Sequence, residues 1–131
     1  MGQAGKHRRG VSISRVRKQG QQLDNALAPV GLALSIISLA ELYEGVYYSR
    51  DPVESEAALQ RFLNPELSIL GLDEETCKIF GKERGRLRAA GLTIGDCDLL
   101  IGATALRHHL TLLTNNRRHF ARIAGLRIES V

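Results

Sequence analysis

Residues 93–116 read TIGDCDLLIGATALRHHLTLLTNN. From Leu99 to Leu106 every residue except Thr104 is apolar or small. A helix that is apolar on nearly all sides belongs in a core, so the stretch predicts a buried helix from Asp96 to about His109. Thr111–Thr114 (TLLT) then reads as a short strand. Two carboxylates, Asp96 and Asp98, stand at the mouth of this helix. Asp96 has an ordinary explanation as the cap. Asp98 lies in the first turn, where the helix dipole favours a carboxylate by about 0.3–1 kcal/mol. It also borders a desolvated region, where an uncompensated charge is costly. A cation would relieve that cost.

The chain on either side alternates strands and helices. Leu32–Ile37 (LALSII) reads as a buried strand, and Ser38 opens a helix that ends near Asp51-Pro52, since proline disfavours helix at the residue before it. Glu54–Leu63 is a second helix and Leu67–Leu72 (LSILGL) another buried strand. Asp73 caps a long helix to about Ala90, which Gly91 stops. After TLLT come a short helical turn, RRHFAR, and a last strand, LRIESV. From residue 30 onward the order is βααβααβαβ, which argues for a parallel sheet with helices on both faces. Such sheets bind ligands outside the carboxyl ends of their strands. That edge gathers Ser38 to Glu41, Asp96, Asp98, and Thr114 to Asn116.

Each polar group there has a bland reading beside a chemical one. Ser38-Leu39-Ala40-Glu41 fits a capping box, in which Glu41 folds back on its own helix start. A ligand would instead point over the sheet edge. Asn116 fits a turn residue. Taken together, two or three carboxylates and a neutral oxygen donor suit Mg²⁺ or Mn²⁺ better than zinc. His7, His108, His109 and His119 make no zinc spacing, and the pair His108-His109 reads as helix-end residues.

Composition limits the alternatives. The 131 residues fit one domain, 44% hydrophobic and 24% charged, with few aromatics. A base-stacking surface for single strands is therefore disfavoured. Net charge is +4, yet residues 1–23 hold six basic residues and no acid, which leaves the remainder at −2. A basic leader favours polyanions, and it also suits a solvated terminus. Cys77 and Cys97 make no metal or redox spacing and read as small buried thiols. The apolar run Val30–Ala40 is too short to span a bilayer. A reducing cytoplasm is the default location.

ISLAELYEG (Ile37–Gly45), followed by IGDCDLLIGATALRHHLTLLTNNRRHFARIAGLRIE (Ile94–Glu129), resembles the PIN-domain ribonucleases, and most of all the VapC-type toxins of bacterial toxin–antitoxin modules. The resemblance covers roughly residues 29–130. It implies a three-layer α/β/α fold with a central parallel sheet. It also implies hydrolysis of RNA phosphodiesters with Mg²⁺ or Mn²⁺, leaving a 5′-phosphate. By position, Glu41 and Asp98 match metal-binding acids and Asp96 a supporting one. Asn116 stands where members carry Asp or Asn, and Thr114 closes that strand. Arg117 and Arg118 are placed to grip flanking phosphates, and Lys82, Arg84, Arg86 and Arg88 could extend the track. The implied partners are an RNA substrate, a cognate antitoxin protein and a second copy of the chain.

The resemblance also expects a first strand ending in a metal-binding aspartate near residue 6, where the chain reads GKHRRG. LDNAL (Leu23–Leu27) mimics that motif but stands only 17 residues before Glu41. It reads better as the end of a helix from about Arg17 to Leu27. VSISRV (Val11–Val16) reads as an edge or half-exposed strand. The expected division is therefore an atypical basic segment over 1–28 and a PIN-like domain over 29–131, with residues 1 to about 22 replacing the family's usual start. A catalytically impaired module that binds an antitoxin or RNA stays open as the rival reading. A nucleic-acid-binding arm has no helix-turn-helix to support it, and no G-x-G-x-x-G marks a dinucleotide site.

Overall fold

The apolar run after Asp98 forms the expected core helix: Leu99, Ile101, Gly102, Ala103, Thr104 and Ala105 are all buried. The computed structural model describes residues 15–18, 32–63 and 67–130. Their elements are β1 (Arg15–Lys18), β2 (Leu32–Ser35), α1 (Ile36–Tyr47), α2 (Pro52–Phe62), β3 (Ser68–Leu70), α3 (Glu74–Ala89), α4 (Asp96–Arg107), β4 (Leu110–Leu113), α5 (Arg117–Phe120) and β5 (Ile128–Glu129). From β2 onward this is the βααβααβαβ order read from the sequence, and the class is α/β.

The sheet order is β3-β2-β1-β4-β5. β2 pairs β3 and β4 pairs β5 in parallel, as expected. β1 lies in the middle and runs antiparallel to both neighbours, pairing Arg15 with Leu34 and with Leu113. Arg15 and Val16 thus belong to a central strand rather than an edge strand, and Arg17 and Lys18 continue that strand rather than start a helix. The rest of the expected helix to Leu27, the VSIS part of the expected strand and the GKHRRG region fall outside the described residues.

Several boundaries move for local reasons. β2 ends at Ser35, whose extended backbone (φ −65°, ψ 144°) turns the chain into α1 while its Oγ accepts the Ile37 N–H at 3.0 Å. Ile36 and Ile37, β-branched and strand-like in the sequence, therefore form the first helical turn. α2 starts at Pro52, because Asp51 caps it through the Glu54 N–H and proline suits the first helical position. Asp73 caps α3 as expected, accepting from Thr76 N at 2.9 Å and Thr76 Oγ1 at 2.8 Å. These bonds, with Arg107 beside it, lower its carboxyl to about 2. β3 is the edge strand and is largely exposed, with Ile69 40% accessible, so it is not the buried strand its composition implied. Both cysteines are exposed and unpaired with each other, because each sits early in a helix with one side to solvent.

The core gathers Ala33, Leu87, Ile94, Leu99, Ile101, Ala105, Leu112, Phe120 and Ile123. Two contacts fix α4 within it. Gly102 meets Ile123 so closely that an added Cβ would overlap Ile123 Cδ1, with Leu126 just beyond. Glu83, 9% exposed, accepts from Arg86 Nε at 3.0 Å and from Ala124 N at 2.8 Å, tying α3 to the segment that carries Ile123. Arg86 Nη2 also donates to Arg122 O at 2.7 Å. The Arg86 hydrogen bonds, helped by the Ala124 N–H, hold the Glu83 carboxyl below its ordinary range against the opposing effect of burial.

Two outcomes follow for stability. Gly102→Ala gains about 1 kcal/mol of helix propensity but incurs about 1–3 kcal/mol of overpacking. Thermal melts should show a net loss, and Ile123→Val, which removes Cδ1, should recover part of it in the double variant. Glu83→Gln should cost about 1–3 kcal/mol at pH 7. Because the folded carboxyl is depressed, its contribution is present above the unfolded value, roughly 4.3, and fades as pH falls through the lower folded value. Melts from pH 7 to 3 should therefore show the gap between parent and variant closing in acid.

Candidate active site

α4 starts at Gly95, whose extended backbone (φ −64°, ψ 155°) makes it the N-cap without a side-chain bond. Asp96, the cap expected from the sequence, is instead the first helical residue. It is 81% exposed at its side chain and pairs with Arg84 Nη2 at 2.5 Å. Arg84 Nη1 donates to Ile94 O at 2.9 Å, and its guanidinium lies over the Phe80 ring. Arg122 donates to Thr93 O. Two arginines thus pin the loop that delivers the first turn of α4. Arg84 and Arg86 are committed to these contacts, so the proposed phosphate track along α3 loses its middle members.

Asp98, two residues further into that turn, is the half-buried acid, with a side chain 17% exposed. Its Oδ2 lies 3.2 Å from His119 Nδ1, and Asn116 Nδ2 lies 3.4 Å from the same ring nitrogen. His119 lies within α5, and its ring turns onto Asp98. No spacing rule links positions 98 and 119, and only the fold brings them together. His108 and His109 do end α4, and His109 takes the left-handed backbone there (φ 56°).

Glu41 is not a capping glutamate. The cap is Ser35, which places Ser38 in the first turn and Glu41 almost one turn later, so the capping box does not form. Ser38 is 3% exposed, and among the described residues its Oγ has no hydrogen-bond partner. Glu41 and Asp98 come within electrostatic reach of one atom, the Cys97 thiol. The protein packed against one side of this exposed residue desolvates the thiol and raises its pKa, and the negative charges of Glu41, Asp98, Asp96 and Glu44 raise it further. Among the described residues no three His, Cys, Asp or Glu side chains form a ready cage for a metal ion. The donor set suits the open kind of site, in which one or two carboxylates hold a divalent ion that keeps several waters.

Thr114, the residue that closes the strand in the resemblance, is 1% exposed, and its Oγ1 accepts the Asn116 N–H at 3.0 Å. It shapes the turn that presents Asn116. Arg117 and Arg118 are exposed at the start of α5, and Arg117 Nη1 reaches Ile128 O at 3.4 Å.

Parallel strand pairs flanked by helices make this the α/β class, whose ligands bind beyond the carboxyl ends of the strands. The PIN domain model matches residues 13–126, and the chain belongs to the PIN domain family. It is 37% identical over 99 residues to ribonuclease VapC2 of Rickettsia felis, covering 76% of this chain and 73% of that protein. It is 34% identical over 98 residues to the tRNA(fMet)-specific endonuclease VapC of Salmonella typhimurium, covering 75% and 74%. Among solved structures, Rickettsia felis VapBC2 bound to a promoter DNA fragment matches with a TM-score of 0.70 and 38% identity, covering 75% of this chain and 73% of that one.

Arg84→Ala should free the loop before α4. Hydrogen exchange at residues 92–97 should rise, with a stability loss of about 1–2 kcal/mol. Arg84→Lys should not restore protection, since one ammonium cannot replace a planar fork serving two acceptors.

Proposed function

We propose that the chain is a VapC-type endoribonuclease whose site is built on Asp98 and Glu41. The observation that carries the reading is Asp98 itself, a half-buried acid at the head of a buried helix, sharing its negative field with Glu41 at Cys97. Relatives named as ribonucleases cover most of the chain, which supports RNA as the substrate class. Asp98 and Glu41 would hold the divalent ion, with Asn116 and the Ser38 hydroxyl as neutral oxygen donors nearby. When bound, such an ion supplies charge neutralisation at the scissile phosphate and a more acidic water.

The protein's own groups do the rest. Asp96, balanced by Arg84, adds negative potential at the rim. Thr114 sets the turn that presents Asn116. Arg117 and Arg118 bind phosphates flanking the cut, where charge-assisted bonds are the strong ones. The partners are the RNA substrate, an antitoxin protein like that of the VapBC complexes, and a second copy of the chain as a homodimer. No helix among the described residues is long and apolar enough to cross a membrane; the site of action is proposed to be the cytoplasm. The segment over 1–28 is proposed to be an atypical, basic start whose strand β1 is nevertheless built into the sheet of the domain over 29–131.

Incubation of the purified protein with structured RNA, tRNA included, in Mg²⁺ or Mn²⁺ tests this. Cleavage should fall about 100-fold or more in Asp98→Asn and Glu41→Gln and vanish under chelation. A parent protein that binds RNA or an antitoxin without cutting would establish the impaired module instead.

A further inference from the structure

Three polar groups converge at His119. Nδ1 lies 3.2 Å from the Asp98 carboxylate oxygen and 3.4 Å from the Asn116 amide nitrogen. The nitrogen and oxygen ends of that amide are an assignment, so a protonated Nδ1 can donate to Asp98 and to a turned Asn116 together. Without that proton, the same three groups would offer a cation a nitrogen lone pair, a carboxylate oxygen and an amide oxygen. The spacing agrees, since two adjacent ligands at about 2.1 Å in an octahedron lie roughly 3 Å apart.

We infer that His119 is a nitrogen ligand of the metal site, adjacent to Asp98, and that it biases this chain toward transition-metal divalent ions over Mg²⁺. Imidazole suits such ions, whereas Mg²⁺ prefers all-oxygen surroundings. The inference rests on the metal-site reading above and deepens it. Asp98 and Asn116 alone would offer only oxygen. His119 sits partly exposed, 34% at its side chain, where an ion can reach it from solvent.

Mn²⁺ is the probe, with the full chain and its His119→Gln and Asp98→Asn variants. The glutamine introduced by His119→Gln carries an amide that can still donate to Asp98, so a merely structural role would survive the change. Matched melting temperatures would confirm intact folding. Electron-spin-echo spectra of the Mn²⁺-loaded parent should carry modulation from a directly bound ¹⁴N, absent in His119→Gln. Mn²⁺ affinity should drop about tenfold in that variant, and Mg²⁺ affinity should change much less. Mn²⁺ bound with no nitrogen modulation and unchanged affinity in His119→Gln would overturn the inference and leave the carboxylate site standing. A parent chain that binds no Mn²⁺ at millimolar concentration would overturn both.

Discussion

The proposed site asks for a carboxylate at Asp98 that is partly buried and fixed in direction at once, and much of the surrounding structure meets that demand. It is the third residue of a helix whose following side chains are core, so the helix cannot tilt outward to hydrate it. The loop before it cannot drift either, because Arg84 holds Ile94 O and Arg122 holds Thr93 O. Arg122 is itself placed by the contact of its carbonyl with Arg86, and Arg86 is placed by buried Glu83. Behind the helix, Gly102 admits Ile123 from the same segment. α3 therefore acts as a clamp on both the loop before α4 and the segment after α5, and its arginines serve the fold. On that clamp Asp98 can face outward from a low-dielectric border without relaxing, as preorganised charge requires.

The central strand sets a second constraint. β1 reads RVRK and carries no acid, and it runs against the four parallel strands. Its register brings Arg15, the N-terminal residue of the strand, beside Leu34 and Leu113, at the carboxyl ends of β2 and β4. A strand of the usual sense would end there. The acids of the candidate site consequently come from α1 and α4, so the mutual placement of those two helices matters more than the sheet edge itself.

What the sequence revealed and what it hid divide along physical lines. Local chemistry was readable: Asp73 as a cap, Gly91 as a stop in the left-handed region (φ 72°), and the buried helix after Asp98. Contests between two plausible local solutions were not. Ser35 and Ser38 are both good caps, and the choice fell to where β2 leaves the sheet. Gly95 took the cap from Asp96 because Arg84, a residue twelve positions back, claims that carboxylate. Exposure of β3 follows from strand order, which no periodicity in a three-residue strand encodes. His119 was invisible for the same reason, since its role depends on a pairing across 21 residues of sequence.

The electrostatics of the rim bear on how RNA could approach at all. Desolvation is the first cause of the raised pKa of the Cys97 thiol, and the negative charges of Glu41, Asp98, Asp96 and Glu44 add to it. Unit charges about 4 Å apart interact by roughly 1 kcal/mol in water and several-fold more near a protein surface. A phosphodiester entering this field meets repulsion unless positive charge precedes it. Arg84 cancels part of the field but is bound in place by Ile94 O and Asp96, and it cannot follow a substrate. Arg117 and Arg118 are the proposed contacts for the flanking phosphates, and they stand exposed at the start of α5. The central phosphate therefore needs a charge that sits among the carboxylates themselves, which is what a divalent ion beside Asp98 would provide. The same repulsion keeps RNA out of an ion-free site, so in this reading binding and cleavage of the backbone begin with one event.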